Sequence, residues 1–180
     1  MPERGCVVWL TGLPGSGKTS IARATARELR NMGLRVEILD GDEVRRWLSP
    51  TEGFTREDRE RHLRRVAYVA KLLARNGVIV LCSFVSPYKK IRKEIKEIIE
   101  NESIPFVEVY VKCSLEECIR RDPKGLYRRA LKGEIKHMTG LDDPFEEPEN
   151  PELILDSEHL TAEDNARILL SKLKELEIAG

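Results

Sequence analysis

Residues 12–20 read GLPGSGKTS and meet the pattern G-x-x-x-x-G-K-[ST] at every fixed position, through Gly12, Gly17, Lys18 and Thr19. The apolar run GCVVWL precedes the loop over 5–10, and a segment of helical period follows it over 17–31. That order has a physical reason. Glycines allow φ angles that turn backbone N–H groups inward, and a helix N-terminus adds partial positive charge. Gly12, Leu13, Pro14, Gly15, Ser16, Gly17, Lys18 and Thr19 are therefore expected to cradle the phosphates of ATP. Lys18 would reach the β- and γ-phosphates, and the Thr19 hydroxyl would ligate Mg²⁺. A chance glycine-rich turn is the plain alternative, but the flanking strand and helix argue against it.

The rest of the chain repeats the alternation. Apolar β-rich runs lie at 5–10, 35–39, 77–84, 105–112 and 152–155. Helical periodicity fills 17–31, 41–48, 55–75, 88–100, 114–121, 126–132 and 161–176. Near-continuous hydrophobicity suits strands covered on both faces. The expected fold is a three-layer α/β P-loop NTPase fold, with a five-stranded, mostly parallel sheet flanked by helices. Residues 1–180 read as one domain, without repeats or low-complexity tracts. The stretch 133–151, GEIKHMTGLDDPFEEPENP, reads as a long ordered loop of functional type.

Lys+Arg 31 against Asp+Glu 31 leaves no cationic surplus, which argues against nucleic acid or an anionic membrane as partner. No apolar run approaches the ~18 residues of a membrane span, and the first strand begins too early for a signal peptide. Cys6, Cys82, Cys113 and Cys118 lie in or beside apolar segments without metal-site spacing, so they read as reduced, buried thiols of a cytoplasmic protein.

The strand VIVL ends in VLCSFVSPY, with Ser83 and Ser86 and no carboxylate. Acids follow the second strand instead, in LDGDEVR, as Asp40 and Asp42. Carboxylates at the C-terminal end of such a strand sit at the ligand-binding edge, where one could orient Mg²⁺ and accept a hydroxyl proton. That suits a small-molecule kinase better than a GTPase or motor. Either acid could instead cap the following helix, Asp40 more readily. In segment 55–75 the apolar stripe Leu63, Val66, Ala70, Leu73 extends backwards to His62 and Arg59. An arginine on that stripe needs an anionic partner, and Arg45 should point to the same region, so a second anionic ligand is expected. Phe54 and Phe145 could stack on a planar base or pack into the core.

Together these residues resemble the adenylylsulfate kinase family over almost the whole chain. The ordered motifs are GLPGSGKT, LDGDEVR, GFTREDRERHLRRV, FVSPY, RDPKGLY and GEIKHMTGLDDPFEEPENPEL. The resemblance implies phosphorylation of adenosine 5′-phosphosulfate on its 3′-hydroxyl by ATP with Mg²⁺, in a homodimer. It implies that Asp42 serves Mg²⁺ and that hydroxyl, and that Arg45 and Arg59 hold the phosphosulfate. Phe54 and Phe145 would sandwich the adenine. Ser86 matches a serine proposed in the family as a phosphoenzyme intermediate, although in-line transfer needs no covalent step and a substrate hydrogen bond suits it better. Lys124 and Lys136 would lie on segments closing over the substrates.

The chain departs from the family pattern in three places. His62 stands where asparagine is usual, HMTG replaces Gly-Phe-Thr-Gly, and SPYKKIRKEI lacks the customary Arg-Asp pairs. Rival readings are another P-loop kinase, such as one acting on seryl-tRNA, and a catalytically silent nucleotide-binding homologue. An intact Lys18 and Thr19 argue against the silent form, and a neutral charge argues against RNA. A part of a sulfurylase fusion is the third alternative.

Overall fold

The computed structural model describes residues 5–180. The continuous apolar segments form five strands: β1 (Cys6–Thr11), β2 (Val36–Asp40), β3 (Ile79–Ser83), β4 (Phe106–Lys112) and β5 (Leu153–Asp156). Their order is β2-β3-β1-β4-β5, and every pairing is parallel, a stricter form of the expected sheet. Central Val8 registers with Leu81 on one side and Val107 on the other. All of β1 is buried because helices cover both faces.

The helices are α1 (Lys18–Asn31), α2 (Gly41–Leu48), α3 (Arg56–Ala74), α4 (Lys89–Glu100), α5 (Leu115–Arg121), α6 (Leu126–Leu131) and α7 (Ala162–Glu175). Alternation along β1 splits the core in two. Val8 and Leu10 pack with Ile21 and Leu29 of α1 and Leu169 of α7. Val7 and Trp9 face the other way, onto Leu63 and Val66 of α3 and Ile91 and Ile95 of α4. Boundaries agree with the sequence reading within a residue or two. The largest difference is β3, expected over 77–84. Gly77 is spent on the turn that ends α3, at φ 81°, and Phe84 already leaves the sheet.

α3 and α7 begin with capping boxes, Thr55 with Asp58 and Thr161 with Asp164. α1 begins on Gly17, whose side-chain-free cap leaves the first N–H groups facing the loop. The segment 133–151 stays irregular apart from an isolated bridge between Thr139 and Asp143. Its Met138 joins a third apolar cluster with Cys113, Cys118 and Tyr127. The four cysteines are free and buried. No helix among the described residues is long and apolar enough to cross a membrane.

Candidate active site

At the C-terminal edge of the sheet a cleft of about 810 Å³ opens between β1, β2 and β3 and the segments that follow them. Its floor is the loop from Gly12 to Thr19. A Cβ on Gly12 would lie 2.6 Å from the Val111 carbonyl oxygen and 2.9 Å from Ser16 Oγ, so only glycine fits. Gly15 and Gly17 take left-handed φ angles of 78° and 97°, the conformations that aim successive N–H groups into one hollow. Lys18 is only 7% exposed. Its Nζ donates to the carbonyls of Gly12 (2.9 Å) and Leu13 (2.8 Å), which bends the cation back over the hollow. Burial pulls its pKa down to about 8, against weaker opposition from Cys118 and Asp40.

Asp40 and Asp42 divide as their positions in α2 dictate. Asp40 is the N-cap, accepting from Gly41 N at 2.7 Å. Asp42 lies in the first turn, its side chain 80% exposed, 3.0 Å from Lys124 Nζ across the cleft mouth. Lys124 sits between α5 and α6, a link tied to the floor. Asp122 accepts from Tyr127 N and Arg128 N, each at 3.0 Å, and the Tyr127 hydroxyl donates to the Pro14 carbonyl at 2.6 Å. Thr19, in the first turn of α1, and Asp42 line the same cleft. Both offer hard oxygens, and among the described residues no cluster of three His, Cys, Asp or Glu side chains is poised to hold a metal. That donor set fits Mg²⁺, which keeps most of its water and phosphate ligands and needs few from protein.

The other half of the cleft is built on the start of α3. Arg45 donates to the carbonyls of Glu52 (3.1 Å) and Gly53 and lies over the exposed Phe54 ring, 4.3 Å from its centroid. Arg59 is closed on the long loop. It donates to Thr139 Oγ1 at 3.1 Å and to the His137 carbonyl, and pairs with Asp143 at 3.3 Å. The anion demanded by an arginine on the core-facing stripe is thus supplied by the chain itself. His62, buried beside Phe84, shares a 2.7 Å hydrogen bond between Nδ1 and Ser49 Oγ. Burial, then Arg45 and Arg65, hold its pKa down at about 4, so the ring is neutral at pH 7.

Three expectations require correction. Phe145 does not face Phe54. It stacks on Tyr110 at 5.9 Å, under Arg92, in a separate hollow beside β4, because Glu146 ties that part of the loop to α4, its carbonyl accepting from Arg92 and its carboxylate from Lys89 N. Lys136 is exposed and lies outside the cleft lining. Ser86 lines the cleft but is 3% exposed, with its hydroxyl already engaged. It accepts from Trp9 Nε1 at 3.0 Å, and its proton lies between Thr11 Oγ1 (3.0 Å) and the Phe84 carbonyl (3.1 Å). A nucleophile needs a base to take its proton, and the groups that receive the Ser86 proton, a threonine hydroxyl and a backbone carbonyl, are not bases.

Sequence reasoning missed Met138, Thr139 and Asn165, which also line the cleft. Met138 left a faint trace, as one of the few apolar residues, with Ile135, Leu141 and Phe145, in a mostly polar loop. Asn165 left none, because its place depends on α7 packing against the end of β5, where Nδ2 donates to the Asp156 carbonyl at 2.9 Å.

A phosphate cradle at the edge of a parallel sheet, with a carboxylate and two guanidiniums lining the same cleft, defines a P-loop kinase. The chain belongs to the adenylylsulphate kinase family, whose model matches residues 4–156. It is 62% identical over 172 residues, 96% of this chain and 94% of the relative, to a probable adenylyl-sulfate kinase of Aeropyrum pernix. An adenylyl-sulfate kinase of Picosynechococcus sp. is 49% identical over 176 residues, 98% of this chain and 97% of that protein. Among solved structures, the APS kinase of Mycobacterium tuberculosis in complex with AMPPNP and APS superposes with a TM-score of 0.93. It is 41% identical, over 96% of this chain and 99% of that one.

Proposed function

We propose that the chain transfers the γ-phosphoryl group of ATP to the 3′-hydroxyl of adenosine 5′-phosphosulfate, giving the 3′-phosphorylated nucleotide used in sulfate activation and assimilation. One observation carries the reading. A single cleft has the lysine-bearing cradle at one end and the Arg45–Arg59 pair at the other, in a chain akin to a kinase solved with AMPPNP and APS. Hydrolysis of ATP would need only the first end.

In this reading the loop N–H groups and Lys18 hold the ATP phosphates and stabilise charge as the γ-phosphoryl moves. Thr19 and Asp42 would hold Mg²⁺, which when bound neutralises phosphate charge. Asp42 accepts the proton of the attacking hydroxyl. Arg45 and Arg59 take the phosphosulfate, Arg59 exchanging Asp143 for the substrate anion, and Phe54 stacks on the adenine. His62 donates to the acceptor, Asp40 fixes the start of α2, and Ser86 shapes the floor. Lys124 moves from Asp42 to the phosphates as its segment closes, and Lys136 guards the outer loop. Residues 1–180 act as one domain in a cytoplasmic homodimer, whose mass sedimentation would read. The exposed Trp47 and Tyr68 on α2 and α3 support self-association.

The test is purified protein with ATP, Mg²⁺ and adenosine 5′-phosphosulfate, followed by separation of the nucleotide products. The 3′-phosphorylated product should form, and Asp42→Asn should collapse turnover more than nucleotide binding. Formation of ADP at the same rate without acceptor would refute the proposal.

A further inference from the structure

His62 lines the cleft, and one of its ring nitrogens is held from behind by a chain of side chains that crosses from α3 to the end of α2. Arg65, on α3, donates from Nη1 to Ser49 Oγ at 3.1 Å and to the Leu48 carbonyl at 3.1 Å, while its Nη2 donates to Glu52 Oε1 at 3.1 Å. Ser49, the residue that ends α2, is buried, and its Oγ lies 2.7 Å from His62 Nδ1.

The proton count along this chain has one good solution. A guanidinium only donates, so it occupies a lone pair of Ser49 Oγ. The serine proton then needs an acceptor, and among the described residues His62 Nδ1 is the one within reach. If Nδ1 carried the ring proton instead, the buried serine O–H would be left without a partner, a costly arrangement. Nδ1 therefore accepts, and in the neutral ring the proton resides on Nε2. Among the described residues Nε2 has no hydrogen-bond partner, and it is not among the sealed, unpaired polar atoms. His62 lines the cleft beside Arg45 and Arg59. The depressed pKa agrees: burial and the flanking guanidiniums keep the ring from taking a second proton.

We propose that Arg65 and Ser49 are positioning residues that lock His62 as the Nε2–H tautomer, presenting a fixed neutral donor to an oxygen of the anionic acceptor. The inference rests on the reading that this end of the cleft takes the acceptor nucleotide. A neutral donor fits beside two guanidiniums where a third positive charge would repel them, and its strength does not vary across the physiological pH range.

The test joins a spectroscopic and a kinetic readout. Long-range ¹H–¹⁵N NMR of ¹⁵N-histidine-labelled protein at pH 7 distinguishes ring tautomers, and His62→Asn identifies the signal among three histidines. The wild type should show the Nε2–H form alone. Ser49→Ala should mix the tautomers and raise the KM for adenosine 5′-phosphosulfate roughly 2–10-fold, the range of one neutral hydrogen bond. Its KM for ATP should stay within about twofold, and Ser49→Thr, which keeps the hydroxyl, should restore both readouts. An Nδ1–H ring in the wild type overturns the proposal, as does an unchanged tautomer in Ser49→Ala. Mixed tautomers with an unchanged acceptor KM overturn it too. Wild-type protein that shows the Nε2–H form but does not phosphorylate this acceptor would instead condemn the functional reading.

Discussion

Lys18 carries opposite demands on one ammonium group. Burial lowers its pKa from 10.5 to about 8, so charge is costly in the folded protein and is what phosphates need. Between about 8 and 10.5 the folded protein has released this proton while the unfolded chain retains it, so this group's contribution to stability rises with pH in that window. Phosphate binding runs the other way. In wild type, kcat/KM for ATP should fall as pH rises through about 8, where an ordinary lysine would hold until 10.5. Lys18→Met should lose about 10²–10³ in turnover, the scale of one preorganised donor. It should also be more stable than wild type at pH 7, by up to the order of 3 kcal/mol, with the gap narrowing towards pH 10. Denaturant melts at both pH values measure the gap, and a gap that widens would refute the account.

Ser86 makes the complementary case, of a reactive group spent on structure. Removing its hydroxyl orphans the buried Trp9 N–H, so Ser86→Ala should cost about 1–3 kcal/mol of stability. Turnover of the folded fraction should persist, and its loss in a protein that melts normally would restore a chemical role for the hydroxyl.

Among the elements, α3 and the loop 133–151 depend on each other. α3 gives up its first turns to the cleft, with Arg59 and His62 on the same stripe as the core residues Leu63 and Val66. The strands, that stripe, the cap at Asp40 and the loop Gly12–Thr19 were legible in the sequence because each is set by local rules: periodicity, capping, glycine geometry. The partner of Arg59 was not, since it lies on a segment 78 residues further along at His137 and beyond, and no local rule pairs them. The place of Phe145 was hidden for the same reason. An aromatic residue in a loop has no periodicity to say which hollow it fills, and long-range contacts with Tyr110 and Arg92 decided it. The two residues should therefore separate in experiment. Arg59→Ala should raise the acceptor's KM by about 10–150-fold, the loss of one charged contact of roughly 1.5–3 kcal/mol, with ATP's KM almost unchanged. Phe145→Ala should mainly lower stability, by roughly 1–3 kcal/mol. Steady-state kinetics with each substrate varied, beside a melt of each variant, would expose a reversal of these roles.

At the scale of the whole molecule, one sheet edge carries two sites that share little beyond their scaffold. The cradle hangs from β1 and α1, whereas the acceptor end hangs from α2, α3 and the long loop. The two are bridged at the mouth by the exposed pair Lys124–Asp42. Such an exposed pair is worth at most about 1 kcal/mol, so it should not lock the cleft. Ligand binding to each end should then stabilise the fold by its own mass action. A ligand at 100 times its dissociation constant adds about 2.7 kcal/mol. For a chain of this length each kcal/mol moves the melting temperature by about 2–4 °C, so a saturating ATP analogue with Mg²⁺ should raise it by roughly 5–11 °C. Lys18→Met should lose most of that shift yet keep the one produced by adenosine 5′-phosphosulfate. Arg59→Ala should show the reverse. Thermal melts of the three proteins with each ligand alone form the test. If either variant loses both shifts while its ligand-free melting temperature is no lower than that of wild type, the cleft is one indivisible site, and the division between its ends is wrong.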